Sequence, residues 1–111
     1  MISFTYINDE MMGGKHPIPI DYEDIIVLSN GEVVTLTKAK VAACVCALVK
    51  WEGGPFRVRM DGGQPISGVS GYLRSDGDEY FHSREEAIRL VIIIDTVVGG
   101  INGSLRVTYY G

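Results

Sequence analysis

Turn-forming residues divide this chain into short segments, and that division limits what it can fold into. Fourteen of its 111 residues are glycine, whereas glycine usually makes up about 7% of a protein. The longest uninterrupted apolar run covers residues 41–49, which is too short to span a bilayer. We therefore expect one small domain, residues 1–111, that is rich in turns.

Strand and hairpin signals dominate the first third of the sequence. Apolar and polar side chains alternate over residues 2–7, which predicts a strand. Residues 8–23 contain prolines and glycines and are predicted to form a long loop. The runs 24–29 and 32–37 flank Asn30-Gly31, the residue pair that suits a tight type I′ turn, so they predict a β-hairpin.

Two helices are expected after this hairpin. Thr37 can cap a helix that runs to about residue 51 and ends at the glycines that follow. Ser83 and Glu86 form a capping box, which predicts a helix from residue 84 to about residue 98. The β-branched run 90–94 is compatible with a strand, but the capping box and the apolar spacing favour a helix.

The remaining segments read as strands. Residues 56–60 and 105–110 alternate in the manner of half-buried strands, and residues 71–74 and 79–81 flank a turn at 75–78 that predicts a second hairpin. The sequence therefore predicts an α+β fold, with a mostly antiparallel sheet of about six strands and two apolar helices packed on it.

Both predicted helices are apolar on more faces than one sheet can cover. Every residue of 41–49 is apolar, as is every residue of 90–94. Large apolar patches are uncommon on soluble monomers. The sequence therefore predicts a homo-oligomer, unless the long N-terminal loop folds over one helix.

The net charge and the cysteines indicate which cellular compartment and which classes of binding partner to expect. The net charge is −4 at pH 7 and the pI is about 5.0, which disfavours general binding to nucleic acid or to anionic membranes. The N-terminus lacks the basic and apolar regions of a signal peptide. Cys44 and Cys46 are too close in sequence for a typical disulfide and are expected to be buried thiols, so we expect a cytoplasmic protein.

No residue pattern predicts catalysis. His82 directly precedes a predicted helix and is interpreted as a turn residue. A zinc site would need two soft ligands in addition to the cysteine pair, and His16 and His82 are the only candidates in the sequence. The glycine pairs 62–63 and 99–100 match neither the dinucleotide-binding fingerprint nor the P-loop. We therefore expect a protein that is not an enzyme and that holds no metal or cofactor.

One group of residues favours a binding site. Arginines lie on or beside predicted strands and are interleaved with aromatic residues. A guanidinium can hold a phosphate while a ring stacks on a base, so this pattern is typical of sites for planar anions. The candidate ligand-binding residues are Phe81, Arg57, Arg59, Arg74, Arg106 and Asn102.

The alternative is ordinary strand alternation, in which the arginines face solvent and pair with carboxylates. Asp61, Asp76 and Glu79 could supply such partners. Asp95 is a lone acid in an apolar stretch, so it is expected to be either exposed or paired.

Three functions remain open at this point. The first is a non-enzymatic protein that sequesters a small anionic, nucleotide-like ligand at an oligomer interface. The second is a protein-interaction module or inhibitor that acts through its acidic surface and N-terminal loop. The third is a small enzyme with an unrecognised site. In length, acidity and lack of motifs the chain resembles small phage or mobile-element proteins, including those that counter host defence, and we expect it to be of that kind.

Overall fold

The computed structural model describes residues 18–111 of the chain. Over this range the chain forms short strands and two helices of six residues each. The elements are β1 (Pro19–Val27), β2 (Val34–Thr35), α1 (Lys38–Ala43), β3 (Cys46–Gly53), β4 (Phe56–Arg59), β5 (Tyr72–Arg74), β6 (Glu79–Ser83), α2 (Arg84–Arg89), β7 (Val91–Ile94) and β8 (Gly103–Tyr110).

The predicted α+β class, mostly antiparallel with two helices, is confirmed. The strands form two sheets of four strands each where the sequence predicted about six strands in one. The first sheet has the order β1-β8-β3-β6 and the second has the order β2-β7-β4-β5. Every pairing in both sheets is antiparallel.

The two sheets bury one shared core between their inner faces. Trp51 and Leu105 of the first sheet belong to the same buried cluster as Phe56 and Ile92 of the second. The rings of Trp51 and Phe56 meet edge to face, with their centroids 5.2 Å apart. Each helix adds a small contribution to this core, such as the buried Val41 of α1.

Both helices are much shorter than predicted. Helix α1 ends at Ala43, and the apolar residues after it form β3. Strand β3 is central in its sheet and lies between β8 and β6. Residues 46–49 of β3 are apolar and are buried or half-buried on both faces, so their sequence cannot be told from that of a buried helix by periodicity.

The second helix prediction fails in the same way. Helix α2 ends at Arg89, and the β-branched run that follows is β7, a central strand of the second sheet. Only half of the capping box forms. The Ser83 hydroxyl accepts a hydrogen bond from the Glu86 N–H at 3.2 Å, but the Glu86 carboxylate bonds to His82.

Neither predicted hairpin forms, because the paired strands lie in different sheets. Strand β1 pairs with β8, while β2 pairs with β7. Asn30 does not adopt the positive φ of a type I′ turn, and its side chain instead accepts a hydrogen bond from the Glu32 N–H at 3.1 Å. The turn at 75–78 likewise carries the chain from β5 in the second sheet to β6 in the first.

The other strand predictions have mixed outcomes. The predicted strands at 56–60 and 105–110 correspond to β4 and β8. The predicted loop 8–23 is wrong over residues 19–23, which belong to β1. The predicted strand at 2–7 lies outside the described residues.

Candidate functional site

Arg57 on β4 makes a mostly buried ion pair across the second sheet. Its Nε and Nη2 donate to Oδ2 of Asp95, at 2.8 Å and 2.7 Å. Its Nη1 donates to the backbone oxygen of Gly71 at 3.3 Å. Asp95 is fully buried, so of the two alternatives for this lone acid the structure shows the paired one.

Asp95 also holds two loops together. Oδ2 accepts from the Gly68 N–H at 2.9 Å, and Oδ1 accepts from the N–H groups of Val97 and Val98 at 3.1 Å and 3.2 Å. Burial alone would raise the pKa of Asp95, but the hydrogen bonds from Gly68 and Arg57 outweigh it and lower the pKa. The ionised carboxylate therefore fixes the β4–β5 loop against the β7–β8 loop.

Two more of the predicted arginines are paired at the surface. The Nε of Arg59 donates to Oδ1 of Asp61 at 3.0 Å, and this contact lowers the pKa of Asp61 to about 2. Arg106 donates to Glu52 at 2.7 Å and to Asp24 at 3.3 Å. Exposed pairs contribute little to stability, but each one occupies a guanidinium that an anionic ligand would need.

Phe81 and Asn102 have contacts within the protein as well. Phe81 is buried on the outer face of the first sheet beside Tyr110, with ring centroids 6.0 Å apart. The side-chain oxygen of Asn102 accepts from the Ser29 N–H at 2.9 Å. Asn102 thereby ties the β1–β2 loop to the β7–β8 loop.

The predicted ligand-binding residues do not converge on one place. Arg57 and Arg59 lie on the outer face of the second sheet, whereas Arg106 and Phe81 lie on the outer face of the first. Alternation in the sequence shows which residues share one face of a strand. It does not show which strands share a sheet, and the prediction could not resolve that.

Arg74 on the edge strand β5 differs from the other predicted arginines. Its guanidinium carbon lies 4.2 Å from the ring centroid of Tyr80 and 5.6 Å from that of Tyr72. Its Nε is buried and has no hydrogen-bond partner within residues 18–111. Its Nη1 reaches only the backbone oxygen of Leu73, at 3.4 Å. Among the described ion pairs, none involves Arg74.

A groove of about 340 Å³ lies beside Tyr80. Lys50 lines this groove together with Asp78 and Glu79, so both signs of charge are present. The Asp78 carboxylate is engaged in the turn, where Oδ2 accepts from the Ser75 N–H at 2.7 Å. Arg74 does not line this groove, and the β3–β6 register puts Lys50 on the outer face of the first sheet, opposite the Tyr80 ring that Arg74 contacts.

His82 on β6 is buried next to this region. Its Nδ1 lies 2.9 Å from a carboxylate oxygen of Glu86. Burial lowers the pKa of His82, Glu86 opposes that effect, and the positive charge of Arg74 adds to it. Within the described part of the chain, Nε2 is buried without a partner. Sequence patterns predict only a turn role for His82, because the strand predicted at 79–81 ends before it, whereas β6 extends to Ser83.

The two cysteines are buried and free. Burial raises the pKa of Cys46 to about 11 and raises the pKa of Cys44 as well. A thiol with a raised pKa is a poor nucleophile at neutral pH.

Three loops meet at one end of the molecule and expose apolar side chains. We call this surface the apolar loop end, and its loops span residues 28–33, 64–70 and 95–102. The large apolar side chains exposed there are Leu28, Val33, Ile66, Val69, Val97, Val98 and Ile101. Ile101 is 71% exposed and Val69 is 75% exposed. This surface is not predictable from the sequence pattern, which favours a helix from residue 84 to about residue 98 and so hides the β7–β8 loop.

The three loops are in contact with one another. A Cβ placed on Gly68 would lie 2.6 Å from the Val97 side chain, so these two loops touch. Gly31, Ile66 and Thr96, one from each loop, line a shared hollow of about 260 Å³. Glu32 is the one exposed charged side chain in the three loops, since Asp95 is buried. The three loops therefore touch one another and together carry almost no exposed charge.

Comparison with known proteins gives no relative for this chain: no family model, no curated protein and no solved structure matches it. Over residues 18–111, no helix is long and apolar enough to cross a membrane. The same residues contain no cluster of His, Cys, Asp and Glu side chains that could hold a metal ion.

Proposed function

We propose that this protein is a non-catalytic association module that binds a second copy of itself through the apolar loop end. The observation that carries this proposal is the concentration of exposed aliphatic side chains on three touching loops. Loops on a protein surface are usually polar, and a contiguous apolar patch marks an interaction site. Each such side chain contributes roughly 1.5–3 kcal/mol when fully buried.

The charge distribution favours a second copy as the partner. The chain carries a net charge of −4, so two copies repel each other over most of their surfaces. In a symmetric dimer the same patch of both copies forms the contact, so a patch that carries many charges of one sign brings like charges together. The apolar loop end, with Glu32 as its one exposed charge, is a surface that can meet its copy without that cost.

Hydrogen bonds within the chain also fix the three loops to one another in the absence of a partner. Asp95 fixes the β7–β8 loop to Gly68 of the β4–β5 loop, and Asn102 fixes it to Ser29. Ordering a flexible loop on binding costs free energy, so loops that are already ordered bind more tightly. This supports the interpretation of the apolar loop end as a binding surface.

The sequence also predicts a homo-oligomer, but it places the contact on helical faces rather than on the apolar loop end. The helical faces that prompted the prediction do not exist, because Leu48 and Val49 lie in β3 and Ile93 and Ile94 in β7. The two buried free thiols support the further proposal that the protein works in a reducing compartment.

Replacement of Ile101 by glutamate tests where the interface lies. In a symmetric dimer, Ile101→Glu would bring two carboxylates into the apolar contact, so we expect dissociation at concentrations where the wild type is dimeric. Light scattering coupled to size-exclusion chromatography measures this directly. Ile101 is largely exposed, so the variant is expected to fold.

Ile88→Glu is the matched control. Ile88 is a 49% exposed isoleucine on α2, away from the three loops, and its replacement should leave the mass unchanged. Equal dissociation of both variants would show that the effect is not specific to the apolar loop end. An Ile101→Glu protein that stays dimeric would place the interface elsewhere.

A further inference from the structure

We infer that Arg74 forms a bridge between the two sheets that mild acid opens: when His82 takes up a proton, the Arg74 guanidinium leaves the Tyr80 ring and the edge between β5 and β6 opens. Strands β5 and β6 are edge strands of different sheets, and the turn at 75–78 joins them. None of these residues belongs to the apolar loop end, so the inference does not depend on the proposed self-association.

All three side chains point into the space between the sheets. Tyr80 and His82 lie opposite buried core residues of β3, and Arg74 lies opposite the buried Phe56 of β4. Directly opposite residues of an antiparallel pair point to the same face of their sheet. Tyr80 and His82 are two positions apart in one strand, so their rings are neighbours on that face. The guanidinium that covers the Tyr80 ring therefore lies near His82 as well.

The contact that Arg74 makes across the two sheets contains no ion pair. Its guanidinium carbon lies 4.2 Å from the Tyr80 ring centroid. Among the ion pairs of residues 18–111, none includes Arg74, and its buried Nε has no hydrogen-bond partner there. Strand β5 has three residues and lies at the end of its sheet. A short edge strand opens at lower cost than a central one.

The neutral His82 ring places a buried acceptor beside this bridge. His82 is 2% exposed, and its Nδ1 lies 2.9 Å from a carboxylate oxygen of Glu86. An ionised carboxylate only accepts hydrogen bonds, so Nδ1 carries the proton of the neutral ring and Nε2 does not. Nε2 is buried and has no partner among the described residues. The atom that takes up a proton in acid is therefore Nε2.

Protonation of Nε2 makes the closed edge unfavourable. It creates a buried N–H without an acceptor and a second positive charge near Arg74. Burial has the largest effect on the pKa of His82 and lowers it, Glu86 of α2 raises it, and the charge of Arg74 lowers it. The residue opposite His82 on β3 is Ala47, which carries no charge. Separation of β5 from β6 brings water to the new N–H group and moves the two cations apart.

These effects set the pH range of the opening. With the edge open, His82 meets water and its pKa returns towards the ordinary value of 6.5, whereas with the edge closed its pKa is lower. The open state therefore binds a proton at higher pH than the closed state does. The closed edge is fully favoured above about pH 6.5, and it loses stability as the pH falls below that value.

A proton NMR titration from about pH 7.5 to about pH 5.5 tests the inference, in a range above that in which carboxylates usually titrate. The ring current of Tyr80 shifts the resonances of the Arg74 side chain, so we expect this shift to be lost as the His82 ring titrates. His82→Gln can still bond to Glu86 but takes up no proton, and should keep the Arg74 resonances constant. Constant resonances in the wild type, or an equal change in His82→Gln, would overturn the inference.

Arg74→Met keeps the test decisive if His82→Gln fails to fold. Methionine retains an apolar stem but removes the charge, so the midpoint of the His82 titration should move to higher pH. A role for Arg74 in packing alone would not move this midpoint. Arg59→Met, which removes an arginine paired with Asp61 on the outer face of the second sheet, is the control and should leave the midpoint unchanged. Equal midpoints in Arg74→Met and the wild type would contradict the bridge.

Discussion

At the scale of single residues, the most informative side chain is Asp95. The sequence marked it as an acid in an apolar stretch, which leaves only exposure or pairing as stable outcomes. Its partner Arg57 is 38 positions away in the sequence, and their pairing depends on β4 and β7 being neighbours in one sheet. Local sequence patterns therefore predict that Asp95 is either exposed or paired, but they predict neither which of the two occurs nor which residue is the partner.

Loss of the Asp95 charge should destabilise the protein strongly. Asp95→Asn leaves the guanidinium of Arg57 largely buried without its counter-charge, and we expect a loss of about 3–5 kcal/mol in the free energy of unfolding. Chemical denaturation measures this quantity. Asp61→Asn, which breaks the exposed pair with Arg59, is the control and should cost less than about 1 kcal/mol. Similar losses for both would contradict the role given to Asp95.

His82 should make the stability of the protein sensitive to mild acid. Its pKa in the folded protein is lowered from the ordinary value of 6.5, chiefly by burial. The unfolded chain therefore takes up a proton at higher pH than the folded chain does, and the free energy of unfolding should decrease as the pH falls from 7 to 5. Carboxylates titrate mostly below this range.

The variant His82→Gln isolates this contribution. Glutamine can still hydrogen-bond to Glu86 but cannot take up the proton, so the decline between pH 7 and pH 5 should become shallower than in the wild type. An unchanged decline in thermal melts across this range would show that another group is responsible.

At the scale of helices and strands, the sequence predicts where the apolar segments lie better than whether each one is a helix or a strand. Residues 56–59 and 105–110 are strands as expected, because alternation with a period of two is unambiguous when one face is polar. Residues 46–49 and 91–94 were assigned to helices, although they are strands central to their sheets. Burial on both faces removes the alternation that identifies a strand.

Local sequence patterns also do not predict which strands belong to the same sheet. The Asn30-Gly31 pair and the turn at 75–78 are real turns, but each one leads the chain from one sheet to the other. Turn chemistry specifies a change of direction. It does not specify whether the next strand pairs with the previous one.

The start of α2 offers a test at this scale. Ser83→Ala removes the cap on the Glu86 N–H and should cost about 1 kcal/mol. For a domain of this size, that loss lowers the melting temperature by roughly 4–8 °C. The control is Ser104→Ala on the outer face of β8, which should change the melting temperature much less. Equal shifts would mean that the cap contributes nothing specific.

At the scale of the whole molecule, the proposed self-association depends on where charged and apolar side chains lie on the surface. Arginines and acids pair on the two outer sheet faces, while the apolar loop end exposes aliphatic side chains with almost no charge. The sequence predicted self-association, but it placed the apolar surface on helices. Only the arrangement of the three loops shows which apolar side chains remain exposed after folding.

Sedimentation equilibrium of the wild-type protein over a wide concentration range tests self-association most directly. We expect a mass of twice 12.1 kDa at high concentration that decreases towards the monomer mass on dilution. Added salt should not weaken the dimer, because the apolar contact carries little charge and salt screens the repulsion between two chains of net charge −4. A mass of 12.1 kDa at every concentration would contradict the proposal.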